Sequence, residues 1–287
     1  MQRFSLRSFL TFIRFTVSLA VTFSAVTAAI VYSGTISASW MLPMLGIFLL
    51  AAGASALNQY QEWPYDELME RTKTRPIPLR QINTSEALRY SAILIIGGSL
   101  LLLYYSNGTC FSLGLANILW YNGLYTYLKR KTAFAVVPGA LTGAIPVLMG
   151  WAAAGGKITD PAALFLAFFI FMWQMPHFWL LMLKYGNDYR QAGFPVLNTL
   201  FSDFQMKTIL MGWLSASSAA SLLFVHFGIL KLPGIGYTVL LLNLSLLSLL
   251  FYQLFLAKKI NYRMVFITAN VFMLLIMTSL IVDSLLR

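Results

Sequence analysis

The sequence predicts an all-α membrane protein, a polytopic bundle of nine transmembrane helices, on three observations. Of the 287 residues, 59% are hydrophobic and only 10% are charged. The mean hydropathy is +0.74, and apolar windows of spanning length recur along the whole chain. A soluble protein needs more polar surface than this composition supplies. No stretch long enough for an aqueous domain is left between the windows, so residues 1–287 read as a single transmembrane domain.

In chain order the windows fall near 12–33, 40–58, 88–106, 110–128, 134–154, 162–184, 207–228, 233–257 and 263–283. The first follows basic residues, as a signal peptide does, but it is too long and lacks a small-residue cleavage site. The second runs into NQYQEWPYDELMERTKTRP at 58–76, and the fourth ends in YTYLKRKT at 125–132. The fifth carries Gly139, Gly143 and Gly150 around Pro146, small residues that let helices approach closely. The sixth ends in the polar segment that follows His177. The seventh holds His226 near its outer end among Phe224, Val225, Phe227 and Gly228, an interfacial position.

Nine crossings put alternate loops on opposite sides. Of the 20 Lys and Arg residues, all but Lys157, Lys231 and Arg287 then share one side, with Arg3, Arg7 and Arg14 among them. The positive-inside rule therefore places the N-terminus in the cytoplasm, or the matrix of an organelle, and the C-terminus outside. Topology accounts for most of the net +11, and no nucleic-acid partner is required. The single cysteine, Cys110, excludes an internal disulfide and a cysteine metal cluster, and reads as a small apolar residue at a helix start.

Asn58, Glu62 and Asp66 recur every four residues, so on a helix they drift by about 40° per step and project from one side. Hard oxygen donors of this kind suit Mg²⁺, which keeps waters and completes its shell with substrate phosphates. Pro64 interrupts this turn, and the spacing holds only if the helix bends or restarts there. Arg71 and Arg75 are again four apart, and guanidinium forks match phosphate oxygens in geometry and charge. Carboxylates beside a membrane helix point to function, although a solvated loop would carry the same residues. A second cluster follows the sixth window. His177, Lys184 and Asp188 lie within about 20° of one line on an uninterrupted helix. A structural histidine and a ligand or proton carrier fit His177 equally well. Lys129 and Arg130 end the fourth window on the same side, where snorkelling anchors are expected.

With these residues in place the chain resembles the UbiA superfamily of intramembrane polyprenyltransferases, and within it the haem-directed branch, the haem O synthases. The resemblance covers nearly the whole chain. Its motifs are Asn58, Glu62 and Asp66 followed by Arg71, Thr72, Arg75 and Pro76; YTYLKR at 125–130; GAIP with a following GW at 143–151; PHFW at 176–179; and DY with AG-x-P at 188–195. Glu62 stands where many members carry Asp. Asn187 precedes Asp188 where bacterial relatives often have a second Asp, which leaves direct and water-mediated contact of Asp188 with a second Mg²⁺ both open.

The resemblance implies transfer of a farnesyl group from farnesyl diphosphate to a vinyl group of haem b, giving haem O and diphosphate. Its implied metal ligands are Asn58, Glu62, Asp66 and Asp188, with His177 on the acceptor side. Arg71, Arg75, Lys129, Arg130 and Lys184 are its implied diphosphate contacts. Tyr60, Trp63, Tyr125 or Trp179 could shield an allylic cation. Haem A synthase or terminal-oxidase assembly factors are partners implied by the family alone. A quinone or chlorophyll precursor as acceptor is the alternative within the superfamily. A transporter is disfavoured, because the acids avoid the span centres.

Overall fold

In lipid no water satisfies backbone groups, and a chain this apolar folds into helices that bond internally. The computed structural model describes residues 5–287, so Arg3 lies outside the described residues. Among those residues there is no strand.

The first window is a single helix preceded by a short one. Helix α1 (Leu6–Phe12) stops short of Arg14, which sits at φ 47° and ψ 53°, and α2 (Phe15–Ser33) starts after it in a new direction. Helices α3 (Met41–Asp66) and α4 (Thr84–Tyr105) follow, the latter opened by a reciprocal capping box between Asn83 and Glu86. Helix α5 (Gly108–Ile118) passes through a π-helical stretch, Leu119–Tyr125, into the single turn α6 (Thr126–Leu128). Next come α7 (Val136–Ala153) and α8 (Pro161–Gln191), with Pro161 in the first turn where its missing N–H costs nothing. The last three are α9 (Asp203–Leu222), α10 (Pro233–Phe251) with a π turn at Tyr252–Leu256, and α11 (Tyr262–Leu285).

Seven of these segments are long and apolar enough to cross a membrane, which makes the chain an integral membrane protein. The windows at 110–128 and 207–228 are helical as well but differ from the rest. The first is broken by its π stretch. In α9, Ser215, Ser217, Ser218 and Ser221 dilute the apolar character, and Ser221 accepts a 2.8 Å hydrogen bond from the buried Asn243 of α10.

Two departures from the sequence windows matter for the site. Helix α3 continues through Pro64 to Asp66, so Asn58, Glu62 and Asp66 stay on one helix. Helix α8 runs beyond 184 to Gln191 but kinks at Tyr185, whose φ −117° and ψ 20° are not helical.

Two apolar cores are the largest of the buried clusters among the described residues. One joins α2 and α7 to α8 through α11, and the other joins the same two helices to α3, α4 and α5. The seam depends on a close approach of α2 and α7. A methyl group at Gly150 would overlap the carbonyl oxygen of Ala25, so only glycine fits there. Exposed leucines and isoleucines such as Ile93, Ile96, Leu241 and Leu274 cover the outer surface, as a lipid-facing wall requires.

Candidate active site

Between the two cores lies a cavity of about 730 Å³. Its mouth is polar, lined by Asn58, Glu62, Asp66, Arg71, Arg75 and Lys129, and its depth is apolar, lined by Val21, Ile47, Leu50 and Met149. The i, i+4 spacing on α3 does what the sequence predicts. Asn58, Glu62 and Asp66 all face this space, at 2%, 4% and 1% exposure.

Carboxylates so deeply buried need cations, and each has one from a different segment. Lys129, just past α6, places Nζ 2.6 Å from the Glu62 carboxylate. Arg75, in the loop after α3, donates through Nη1 to Asp66 Oδ1 and Oδ2 at 2.8 and 2.6 Å. Burial pushes the Arg75 guanidinium below its ordinary pKa and Asp66 pulls it back up, and arginine stays charged throughout. Thr72 Oγ1 donates to the Asp66 carbonyl at 3.1 Å, closing the loop on the helix end.

Asn58 donates Nδ2–H to Thr126 Oγ1 at 2.9 Å, which turns its amide oxygen away from that contact. Two carboxylates and an amide oxygen form a hard donor set that fits Mg²⁺, an ion that takes its remaining ligands from water and phosphate. Among the described residues no three His, Cys, Asp or Glu side chains converge on one metal position. The fit therefore rests on the amide and on oxygens that a substrate would bring.

Other expected residues stand elsewhere. Asp188 does not line the cavity; its Oδ2 accepts the backbone N–H of Arg71 at 3.1 Å. Lys184 also lies off the cavity, its ammonium 4.9 Å from the Tyr185 ring centre. The kink at Tyr185 explains Asp188, which follows it, because the shared face with His177 assumes an unbroken helix; Lys184 precedes the kink and lies two turns beyond His177 toward the helix end. Arg130 is a strut, not a lining group. It donates to the Gln61 carbonyl at 2.8 Å and stacks on Tyr65 and Tyr127. Of the proposed aromatic faces only Tyr125 lines the cavity; Tyr60 and Trp63 pack in a peripheral cluster, and Trp179 packs against Trp213.

His177 does line the cavity, deeper than the carboxylates. Trp173 and Phe266 flank its ring, at centroid distances of 5.2 and 4.9 Å, and its Nδ1 is buried without a partner. Sequence reasoning missed several lining groups. Arg14 was assigned to topology alone, but the break after α1 brings it to the cavity. Tyr121 and Tyr189 join the mouth, and Gln174 and Asn270 lie in the wall near His177. Asn270 carried a readable signal, since an amide inside an apolar span is costly without a role.

The sequence profile of the UbiA prenyltransferase family matches residues 18–277. The chain belongs to this family. It is accordingly a prenyl-transferring enzyme. A protoheme IX farnesyltransferase of Geobacter sulfurreducens is 38% identical over 197 residues, 67% of this chain and 71% of that one. One from Oleidesulfovibrio alaskensis is 32% identical over 281 residues, 98% of this chain and 97% of that one. A solved digeranylgeranylglyceryl phosphate synthase superposes with a TM-score of 0.75 at 17% identity, covering 98% of this chain and 99% of that one. A UbiA homologue from Archaeoglobus fulgidus, bound to DMAPP and Mg²⁺, gives 0.69 at 14% identity, covering 95% and 99%.

The Lys129–Glu62 pair yields a direct test. Lys129→Met leaves a carboxylate buried without its cation, and stability in detergent should fall by about 3–5 kcal/mol. Adding Glu62→Gln should restore most of that loss in denaturant unfolding. A single variant as stable as the wild type would mean that the pair does not hold α6 to α3.

Proposed function

We propose that this chain is a Mg²⁺-dependent protohaem IX farnesyltransferase, moving farnesyl from farnesyl diphosphate to a vinyl group of haem b and releasing diphosphate. The observation that carries the proposal is a mouth of two paired carboxylates, an amide and surplus arginines over an apolar chamber of about 730 Å³. That chamber matches an amphiphile with a multiply charged head and a hydrocarbon tail. The haem acceptor is supported by the names of the curated relatives, and Mg²⁺ by the homologue bound to DMAPP and Mg²⁺.

In this reading Asn58, Glu62 and Asp66 hold the metal, which when bound neutralises the diphosphate and makes it a better leaving group. Lys129 and Arg75 stand within reach of the same head, with Arg71 beside them. Arg71 is set by two contacts: its backbone N–H on Asp188, and Nη2 donating to the Tyr189 hydroxyl at 3.0 Å. Asp188 is thus a positioning residue for an arginine. As the C–O bond breaks, the electron pair leaves with diphosphate into this preorganised cation field. The Tyr121 and Tyr125 rings, stacked 5.7 Å apart, wall the adjoining space and keep water from the allylic cation. The vinyl group then bonds to the farnesyl carbon. Water adds to the resulting cation and loses a proton, giving the hydroxyl of haem O. Haem occupies the deeper wall with His177, Trp173 and Phe266.

The topology belongs to the same proposal: nine crossings in one domain over residues 1–287, with the N-terminus cytoplasmic and the C-terminus outside. The chain would sit in a bacterial inner membrane or the inner mitochondrial membrane. Haem A synthase and oxidase assembly factors would be its downstream partners. Reporter fusions after residues 131 and 287 should report opposite sides, and the same side for both would remove the nine-span count.

Purified protein with haem b, farnesyl diphosphate and Mg²⁺ should yield a pigment of haem O mass. Asn58→Ala and Asp66→Ala should each lower the rate by about 10²–10³-fold. Near-normal turnover of either variant, or of wild type in excess chelator, would sink the metal assignment, and prenylation of a different acceptor would sink the haem assignment.

His177→Ala should lose haem O formation while diphosphate binding persists. Comparison of the haem Soret band in wild type and variant separates iron ligation, which shifts it, from positioning, which does not. Unchanged activity would return His177 to a structural role.

A further inference from the structure

A second cavity of about 470 Å³ opens beside the first, between α1, the start of α2 and the loop after α3. Arg7, Arg14, Arg71 and Arg75 line it, and among the described residues no carboxylate does. Arg14, Arg71 and Arg75 line both cavities and so form a shared wall.

The charges in this wall are unevenly matched. Arg75 is engaged by Asp66, and its charge is opposed by both Arg14 and Arg71. Arg14 has no ion pair among the described residues. The side-chain Nε of Arg71 is buried without an acceptor. Arg14 lines the wall from a left-handed backbone position, which a residue with a Cβ rarely adopts. Converging guanidinium groups with unused donors repel one another until an anion joins them, and their forked geometry selects phosphate-type oxygens.

We propose that this second cavity is an oxyanion site for a phosphate-class anion, adjoining the prenyl diphosphate site across the Arg14–Arg71–Arg75 wall. Building on the prenyltransfer reading, it is the station that diphosphate occupies between the reaction cavity and the protein surface. The same chemistry would hold the phosphate of an anionic lipid. Because the arginines serve both cavities, a diphosphate moves from one to the other without leaving their field.

Wild type loaded with farnesyl thiodiphosphate and Mg²⁺ is titrated with inorganic diphosphate by calorimetry. A second binding event is expected. Arg7→Gln alters a side chain that lines only the second cavity and is exposed, so folding is not at stake. It should weaken that event by about tenfold or more, the loss of one charge-assisted contact, with thiodiphosphate affinity unchanged. No diphosphate binding to loaded wild type, or equal affinity in Arg7→Gln, overturns the site. If the thiodiphosphate fails to bind but inorganic diphosphate still binds through Arg7, the prenyltransfer reading falls and the oxyanion site stands. Repeating the titration in phosphatidylcholine nanodiscs with and without phosphatidylglycerol separates the sources. Competition by phosphatidylglycerol assigns the site to a lipid headgroup, and its absence assigns it to soluble diphosphate.

Discussion

Two carboxylates buried at the end of an apolar bundle set the terms for everything around them. An ionised group removed from water is tolerated only with a cation and hydrogen bonds in place. Glu62 takes its cation from the residue after α6, and Asp66 takes its own from the loop that follows α3. The pairs therefore tie together the end of α3, the end of α6 and the loop at 67–83. Arg71, in that same loop, reaches on to α8 through Asp188 and Tyr189. What looks like a binding site is also the clasp that closes one end of the molecule.

Placement of the clasp explains the shape of the cavity. Helices α2 and α7 belong to both apolar cores, and their contact at Ala25 and Gly150 is too tight for any side chain. On the other side of that seam the two cores diverge toward the charged end, leaving a chamber with a polar mouth and an apolar floor. Irregular backbone gathers at this end. The αL break at Arg14, the π stretch at Leu119–Tyr125 and the kink at Tyr185 each bring a charged or aromatic side chain to the mouth or anchor one beside it. Deviations from ideal helix are concentrated where function needs particular side chains.

Under the proposed prenyl transfer, the paired state would also shape ligand entry. Lys129 and Arg75 balance Glu62 and Asp66, and Arg14 and Arg71 remain as surplus positive charge at the mouth. On the proposed function, a diphosphate with its magnesium would bring both an anion and a cation, and such a pair would exchange partners with the existing ones without exposing a naked charge to the apolar interior. Charge surplus at the surface would also draw the proposed anionic substrate toward the mouth.

Much of this was legible in the residues alone. Composition determined the membrane class, because hydropathy sums over the chain and does not depend on how helices pack. The four-residue spacing of Asn58, Glu62 and Asp66 determined a common face, since helical period is a local property and α3 carried it through Pro64. The tertiary structure alone decided which cation meets which carboxylate, that Arg14 is a cavity residue, and that Asp188 and Lys184 are not. For Asp188 the projection along α8 failed at Tyr185, where a single non-helical residue redirects everything after it. Long-range pairs such as Lys129 with Glu62 join segments whose separation in sequence says nothing of their distance, and the packing of whole helices sets that distance.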